Sequence, residues 1–438
     1  MILLSEKASL ILVLAVVLFP ISILVSRLEL IVAILSIILV ILLDIVWFCL
    51  RVRNLSYIKI SRSKIPSRVI VDSVLDIKLV IEVKGYRGLV SVLDPLPEGL
   101  SIVKGRNNRM IYVNGEEKIE LEYTIKALVR GDYSIGPVRL ILTSPLGLCG
   151  KLIQEVRETQ AYLKVVPQFY ALRFKETSAT IRYSKPPGGH TVRAKGMGVE
   201  LEHIREYMPG DDFRKIAWKI SAKNSLRELM VRETTSEVRL EIFLIIDGGI
   251  ESSLGYPRRL IDYYIEAAGS LILAALGKGD VIGLYIAGTP SLLVPPTRRR
   301  EYLYTALNVI ETLNPSYNRT IIHRVPGIIA SILSKRSVTL FFFTSMENVL
   351  EPSEIVDKLK ALGYNIVFFI PYTPSFIEPK PGYEKLRRIY EYLIEKERDR
   401  IEKIKHVLLA HGARVVIASR KDFVERVLRE YYMLREYA

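Results

Sequence analysis

The stretch from Arg205 to Asn224 concentrates the side chains whose types could do chemistry. It reads REYMPGDDFRKIAWKISAKN and carries two adjacent acids, Asp211 and Asp212, among several cations. Together with Glu200 and His203 just upstream, these acids could supply the general acid and base of a hydrolase. The segment offers no nucleophile next to a positioned base, which covalent catalysis requires. A structural clamp, a partner surface and a catalytic site therefore all remain open at this point.

The turn signal PGDD has a second interpretation, in which the acids shape the backbone. Asp211 or Asp212 is predicted to cap a helix that begins at Phe213. In such a helix Arg214 and Trp218 would be four residues apart, so the guanidinium could stack on the indole. This ridge could lock the segment onto the next domain or present a rigid surface to a partner.

A second candidate site lies at the end of a predicted buried strand, RLEIFLIID. Ligands of doubly wound sheets bind at the carboxyl ends of strands, and this strand ends at Asp247. Asp247, Glu251, Ser252 and Ser253 could together offer oxygens to a hard divalent cation. We expect no bound metal here, with a cation on these four residues as the alternative.

Other ligand classes receive little support from the sequence. The glycines of SPLGLCGK, LGKGD and GMGVE do not have the spacing or the Ser/Thr of nucleotide-binding loops. The net charge of +15 and the run Arg298–Arg300 could attract nucleic acid. An aromatic and basic recognition signature is missing, so we do not predict nucleic acid as a partner.

Two apolar runs predict a membrane hairpin over residues 1–52. Ala8–Ser26 carries no charge, and Leu30–Leu50 carries only Asp44. Each has about the 20 residues that a helix needs to cross the hydrocarbon core. Asp44 is expected to lie at the interface or to pair within the hairpin. The charged residues that follow are all basic, which predicts a multi-pass cell-membrane protein with both termini and the soluble domains in the cytoplasm: Arg51, Arg53, Lys59, Arg62, Lys64 and Arg68.

The soluble part divides by its hydrophobic period. Residues 55–167 alternate as strands do, with turn signals such as KGYRG and VNGEE between them, and predict an antiparallel β sandwich of immunoglobulin-like size. Residues 168–237 form a basic loop, to about residue 200, and then the acidic and basic block. Residues 238–438 alternate strands and helices, which predicts an α/β doubly wound domain with helices on both faces. The predicted fold class is thus multidomain, with an N-terminal transmembrane helical hairpin ahead of these two domains.

The segment GMGVELEHIREYMPGDDFRKIAWKISAKNSLRELMVRE, Gly196–Glu233, closely resembles the signature block of domain-of-unknown-function family 58. Ala217, at a position often acidic in that family, departs from the pattern. The order of domains also agrees with the family, so the resemblance covers nearly the whole chain. The matching positions that we single out as partner-binding or structural are Gly196, Gly198, Glu200, Arg205, Tyr207, Gly210, Asp211, Arg214, Trp218 and Lys219.

The last domain resembles the von Willebrand factor A fold, but its metal motif is mostly missing. Of the D-x-S-x-S pattern only Asp247 is present, because Gly249 and Glu251 occupy the two Ser positions. Thr344 and Ser345 stand where a later acid is expected. The resemblance therefore implies a metal-free remnant without a cofactor.

The family resemblance implies a membrane-anchored scaffold or adaptor and not an enzyme. Its implied partners are a MoxR-type AAA+ ATPase and a transglutaminase-like membrane protein. The two cysteines, Cys49 and Cys149, cannot build a disulfide framework or a zinc site. The scarcity of Gln, with only Gln154, Gln160 and Gln168, favours a thermophilic source.

Overall fold

The computed structural model describes residues 2–24, 28–53, 55, 57–156, 159–169, 195–209, 211–223, 228–235, 239–288, 291–318, 322–333, 338–345, 347, 352–377 and 387–437. The chain separates into two compact units, Met1–Gln168 and Phe169–Ala438. We describe each unit by itself.

The first unit begins with two apolar helices, Glu6–Leu24 (α1) and Leu28–Arg53 (α2). Both are long and apolar enough to cross a membrane, as predicted, and they indicate membrane anchoring. In α2 the acid Glu29 lies in the first turn and the bases Arg51 and Arg53 lie in the last, as the helix dipole favours.

The remainder of the first unit is built of strands. One sheet has the order β1-β9-β8-β4-β6-β5 with β2 also paired to β4, and a second has the order β3-β10-β7. Both sheets contribute side chains to one core, in which Ile81 and Leu163 are almost fully buried. The strands are Ile2–Leu4 (β1), Tyr57–Arg62 (β2), Arg68–Ile70 (β3), Val74–Leu93 (β4), Leu100–Gly105 (β5), Asn108–Ala127 (β6), Gly131–Ile135 (β7), Val138–Thr143 (β8), Cys149–Val156 (β9) and Ala161–Val166 (β10).

Two predicted turns of this unit are wrong. KGYRG lies inside β4 and VNGEE lies inside β6, and the two segments face each other across a register shift after Lys84. Gly85 and Gly115 have φ values of 82° and 94°, which suits a β-bulge. The glycines therefore bend one long strand pair and do not end it.

The second unit contains a two-stranded sheet, β11-β12, and a six-stranded sheet of order β15-β14-β13-β16-β17-β18. Only the edge strand β15 of the larger sheet is antiparallel. The strands are Lys195–Glu206 (β11), Met230–Thr235 (β12), Glu241–Asp247 (β13), Val281–Ala287 (β14), Leu292–Thr297 (β15), Thr339–Phe343 (β16), Asn365–Pro371 (β17) and Arg414–Ala418 (β18). The helices are Trp218–Ser221 (α3), Leu260–Lys278 (α4), Arg300–Glu311 (α5), Val325–Ile332 (α6), Pro352–Ala361 (α7), Arg387–Ala410 (α8) and Phe423–Tyr437 (α9).

Helices cover both faces of the larger sheet. Phe342 on one face joins a core with α6, α7 and α8. Its neighbour Phe343 points to the other face, where its ring lies 6.1 Å from that of Tyr264 on α4 and 6.3 Å from that of Phe423 on α9. This is the predicted doubly wound arrangement, and its strand order reverses between β13 and β16.

A buried carboxylate ties α9 to the start of this sheet. Asp280 is 1% exposed and precedes β14. Its Oδ1 accepts hydrogen bonds from Leu240 N at 3.1 Å and Arg435 Nη1 at 2.6 Å. Its Oδ2 accepts one from Tyr431 Oη at 2.5 Å. Burial, together with the hydrogen bond and charge of Asp280, raises the pKa of Tyr431.

The predicted loop over residues 168–200 is partly a strand. Residues 195–206 belong to β11 and pair antiparallel with β12, with Arg205 opposite Val231. The Pro- and Gly-rich segment SKPPGGHT lies outside the described residues. The end of this hairpin carries most of the signature block.

Candidate functional site

The end of the β11–β12 hairpin is closed by an ion pair. The guanidinium of Arg205 donates from Nη1 to Asp211 Oδ2 at 2.7 Å and from Nη2 to Asp211 Oδ1 at 2.6 Å. Asp211 Oδ2 also accepts from Met208 N at 2.9 Å, while Asp211 N donates to Met208 O at 3.0 Å. The side chains of Arg205 and Asp211 are only 25% and 19% exposed, which strengthens this two-pronged pair. We call this arrangement the Arg205–Asp211 clamp.

Asp212 caps the next turn, as predicted. Its Oδ1 accepts from Arg214 N at 3.0 Å at the start of a 3-10 helix, Phe213–Lys215. The single helix predicted from Phe213 through Trp218 is wrong, because Ile216 forms a β-bridge to Val231 and interrupts it. Arg214 and Trp218 therefore lie in two separate short helices, and the predicted stacking along one helix face does not apply.

Hydrogen bonds to β12 hold the second short helix, α3. Ala217 N donates to Met230 O at 2.8 Å, and Met230 N donates to Ser221 Oγ at 2.8 Å. Ala217 is fully buried, so an acidic side chain at this position would lose its hydration. The departure from the family pattern thus suits this packing.

Several large apolar side chains of the hairpin end face solvent. The rings of Tyr207 and Phe213 stack with centroids 5.9 Å apart. Arg214 and Lys219 are also exposed, so the surface is apolar with a basic border. We call the following side chains the exposed ridge: Met208, 63% exposed, Phe213, 67%, Trp218, 63%, Ile220, 38%, and Leu229, 39%.

The second candidate, the tip of β13, lies where the strand order reverses. Asp247 is 5% exposed, with Oδ1 accepting from Gly249 N at 3.1 Å and Oδ2 accepting from Thr344 Oγ1 at 2.8 Å. Ser252 Oγ donates to Gly249 O at 2.6 Å and Ser253 Oγ donates to Ile250 O at 2.5 Å. These hydroxyls stabilise the turn after the strand.

Four residues that the sequence did not indicate also lie near this tip: Tyr264, Glu347, Glu397 and Arg400. Loss of hydration raises the pKa of Glu347, Arg400 opposes this effect, and the negative charges of Glu397, Glu251 and Asp247 add to it. Arg400 donates to Ser345 O at 3.4 Å and forms a two-pronged pair with Glu397 at 2.8 and 2.7 Å. Tyr264, with a buried hydroxyl that has no hydrogen-bond partner among the described residues, has a pKa raised by burial and by the negative charges of Asp247 and Glu347.

A comparison with known proteins finds one matching family. The family described as "Protein of unknown function DUF58" matches residues 203–364, from β11 to the start of β17. This part of the chain is therefore similar to the DUF58 family.

Curated proteins are similar to this chain over parts of their length. The uncharacterized protein Rv1480 of Mycobacterium tuberculosis is 29% identical over 130 residues, which cover 29% of this chain and 40% of that protein. YeaD of Bacillus subtilis is 23% identical over 206 residues, 46% of this chain and 48% of the relative. The chain thus spans less than half the length of these curated relatives. A solved structure, an aerotolerance-related membrane protein from Bacteroides fragilis, is 14% identical and covers 44% of this chain and 99% of its own, with a TM-score of 0.28.

The predicted signature residues are only partly brought together. Arg205, Asp211 and Tyr207 meet at the hairpin end, with Arg214, Trp218 and Lys219 on its surface. Gly196, Gly198 and Glu200 lie on β11, where side chains are outside the described part, and Gly210 lies outside it altogether. His203, which the hydrolase alternative uses, also lies on β11 with its side chain outside the described part.

The strand tip at Asp247 does not fit a divalent cation. Both carboxylate oxygens of Asp247 already accept hydrogen bonds from protein groups, and Gly249 brings no side-chain oxygen. The guanidinium of Arg400 supplies positive charge at the same edge. Within the described ranges, no group of three or more His, Cys, Asp or Glu side chains is arranged to hold a metal ion.

Proposed function

We propose that this protein is a membrane-anchored adaptor or scaffold whose exposed ridge docks a MoxR-type AAA+ ATPase. In this role it would assist the assembly or remodelling of a protein complex. The observation that carries the proposal is the exposed ridge itself, in which Phe213 and Trp218 are 67% and 63% exposed on a backbone fixed by hydrogen bonds.

Such a surface has the composition of an interaction site. Trp and other aromatic side chains, with Arg at the border, carry most of the energy of many protein interfaces. The Arg205–Asp211 clamp and the cap at Asp212 hold the ridge in place before a partner arrives. A pre-organised surface loses less entropy on binding, so more of the contact energy appears as affinity.

The acids of the hairpin end support binding more than hydrolysis. Asp211 is held in an ion pair with Arg205, and Asp212 caps a helix. A general acid or base must exchange protons with its substrate near working pH. Both carboxylates already accept structural hydrogen bonds in this arrangement, so we place no catalytic step on them.

The wider architecture fits an adaptor. We propose that α1 and α2 cross the cell membrane as a hairpin with both termini and the soluble units in the cytoplasm, where an AAA+ ATPase works. We also propose that the first unit is an immunoglobulin-like sandwich and that the six-stranded sheet belongs to a von Willebrand factor A-like domain without its metal. A transglutaminase-like membrane protein is the proposed second partner.

The experiment is a pull-down of a purified MoxR-type ATPase by the full chain in detergent. Trp218→Ala and Phe213→Ala together should reduce retention at least tenfold, because each removes a large apolar contact. Tyr317→Ala is the matched control, since that aromatic ring is 96% exposed and lies away from the hairpin sequence. Equal retention by the double variant and the control would contradict the ridge as the docking surface.

A further inference from the structure

The second helix, α2, is not wholly available to lipid. Phe48 is fully buried in the core of the β-rich part of the first unit, and Ile45 and Val52 pack against that core. One turn earlier, Asp44 Oδ1 accepts from Leu146 N at 3.4 Å and Asp44 Oδ2 accepts from Cys149 Sγ at 3.9 Å. The loop between β8 and β9, residues 144–149, therefore touches the helix at the level of Asp44. We call it the 144–149 loop.

The position of Asp44 along α2 sets its depth. Trp47 lies under the Arg51 guanidinium, 4.9 Å from it, in the pairing of aromatic and basic side chains that favours the membrane interface. Asp44 comes three residues before Trp47 in the sequence. It therefore lies about 4.5 Å from Trp47 along the helix axis, on the side away from that interface. Asp44 and the loop that contacts it thus lie at the outer edge of the hydrocarbon core.

The 144–149 loop has a backbone that tolerates this environment. Within lipid, each backbone N–H must have a partner inside the protein. Ser144 N donates to Cys149 O at 2.9 Å, and Gly147 N donates to Ser144 O at 3.0 Å. Leu148 N and Cys149 N both donate to Ser144 Oγ at 3.1 Å, and Leu146 N donates to Asp44. Residue 145 is a proline, so every N–H of the loop is satisfied.

The side chains of the loop agree with its backbone. The sequence SPLGLC contains no charged residue. Leu146 is 58% exposed, and its N–H donates to Asp44 of α2, where Leu43 and Leu50 are also 60% and 58% exposed. The exposed leucine is thus tied to a helix that is a candidate membrane span. Lipid acyl chains are the occupant that an exposed apolar side chain beside such a helix favours.

We propose that the 144–149 loop inserts into the membrane, with Leu146 among the acyl chains of the leaflet in which α2 ends. This inference depends on the proposed membrane anchoring of α1 and α2. The loop would be a third membrane contact beside α1 and α2, and Asp44 would hold it to α2. The β-rich part would then have a defined orientation on the bilayer.

The experiment places a nitroxide spin label on Leu146→Cys in the full chain, with Cys49→Ser to remove the accessible native thiol, in liposomes. Oxygen concentrates in the acyl chains and a neutral nickel chelate stays in water, so their collision rates report depth. Val74→Cys is the matched control, because Val74 is 57% exposed. It lies on β4, ten residues from Lys84, and Lys84 pairs with β2, the first strand after α2. We expect the ratio of oxygen to nickel collisions to be several-fold higher at position 146 than at position 74.

The outcomes separate the two proposals. Loss of the protein from carbonate-washed liposomes would refute the membrane anchoring and the loop insertion with it. Retention with equal nickel access at positions 146 and 74 would refute only the insertion. A label on Pro145→Cys, also exposed, repeats the measurement if the first variant folds poorly.

Discussion

The Arg205–Asp211 clamp gives the sharpest prediction about the hairpin end. Asp211→Ala removes two charged hydrogen bonds from Arg205 and the acceptor of Met208 N. Hydrogen bonds to charged groups contribute about 1.5–3 kcal/mol each when well shielded. Because Arg205 and Asp211 are 25% and 19% exposed, a combined loss of about 2 kcal/mol in local stability is reasonable. This corresponds to about 30-fold faster opening of the turn.

Hydrogen exchange read by mass spectrometry measures that opening directly. Peptides that contain residues 205–209 should exchange about 30-fold faster in Asp211→Ala and about fivefold faster in Asp211→Asn, which keeps an acceptor but loses the charge. Lys219→Ala, an exposed change in the same segment, should leave these rates unaltered. Unchanged exchange at Met208 in Asp211→Ala would show that the clamp does not hold the ridge.

Three further predictions concern the α/β sheet. Tyr431→Phe leaves buried Asp280 without one donor and should lower the free energy of unfolding by about 1.5–3 kcal/mol, measured by denaturant titration of the full chain in detergent; an unchanged midpoint would contradict this. Calorimetry with Mg²⁺, Mn²⁺ and Ca²⁺ should show no saturable binding, and binding that disappears in Asp247→Ala would overturn the metal-free interpretation. Burial raises the pKa of Asp422, but hydrogen bonds from Ser419 and Arg426 outweigh this effect and hold the pKa below its ordinary value. The stabilisation that Asp422 contributes is therefore complete above the ordinary pKa and is lost as the pH falls through the pKa of the folded state. On heating, the helical signal in circular dichroism should therefore be lost at a lower temperature below about pH 4 than at neutral pH. Asp422→Asn should reduce this difference between the two pH values.

The periodic elements could be predicted from the sequence. The alternation of strands and helices over residues 238–438 predicts the six-stranded sheet, and the uncharged strand β16 lies between β13 and β17 in it. The helix α4 ends at Gly279, whose φ of 71° is a left-handed cap of the kind that glycine favours. Local sequence signals suffice to predict a helix or a strand where one hydrophobic period runs through the whole element.

The failures occurred where a distant partner determines the structure. The glycine-rich segment of residues 195–200 is predicted as a loop, but it belongs to β11 and pairs with the distant strand β12. Ile216 leaves the predicted helix for the same reason, because Val231 provides a bridge. Glu347 follows its strand by several positions, so only the folded chain brings its charge near Asp247. Long-range pairing of this kind leaves little trace in a window of local sequence.

The buried carboxylate of Asp280 has a consequence for the order of synthesis. Its guanidinium partner, Arg435, comes 155 residues later in the chain. A ribosome that adds about 5–20 residues per second needs roughly 10–30 s to make that stretch. Until then, the carboxylate of Asp280 at the start of β14 must stay hydrated, because burying an unpaired charge is costly. The sheet can thus reach its final packing only after α9 has been made. On the ribosome, the sheet would stay incompletely packed for longer than the synthesis of its strands alone requires.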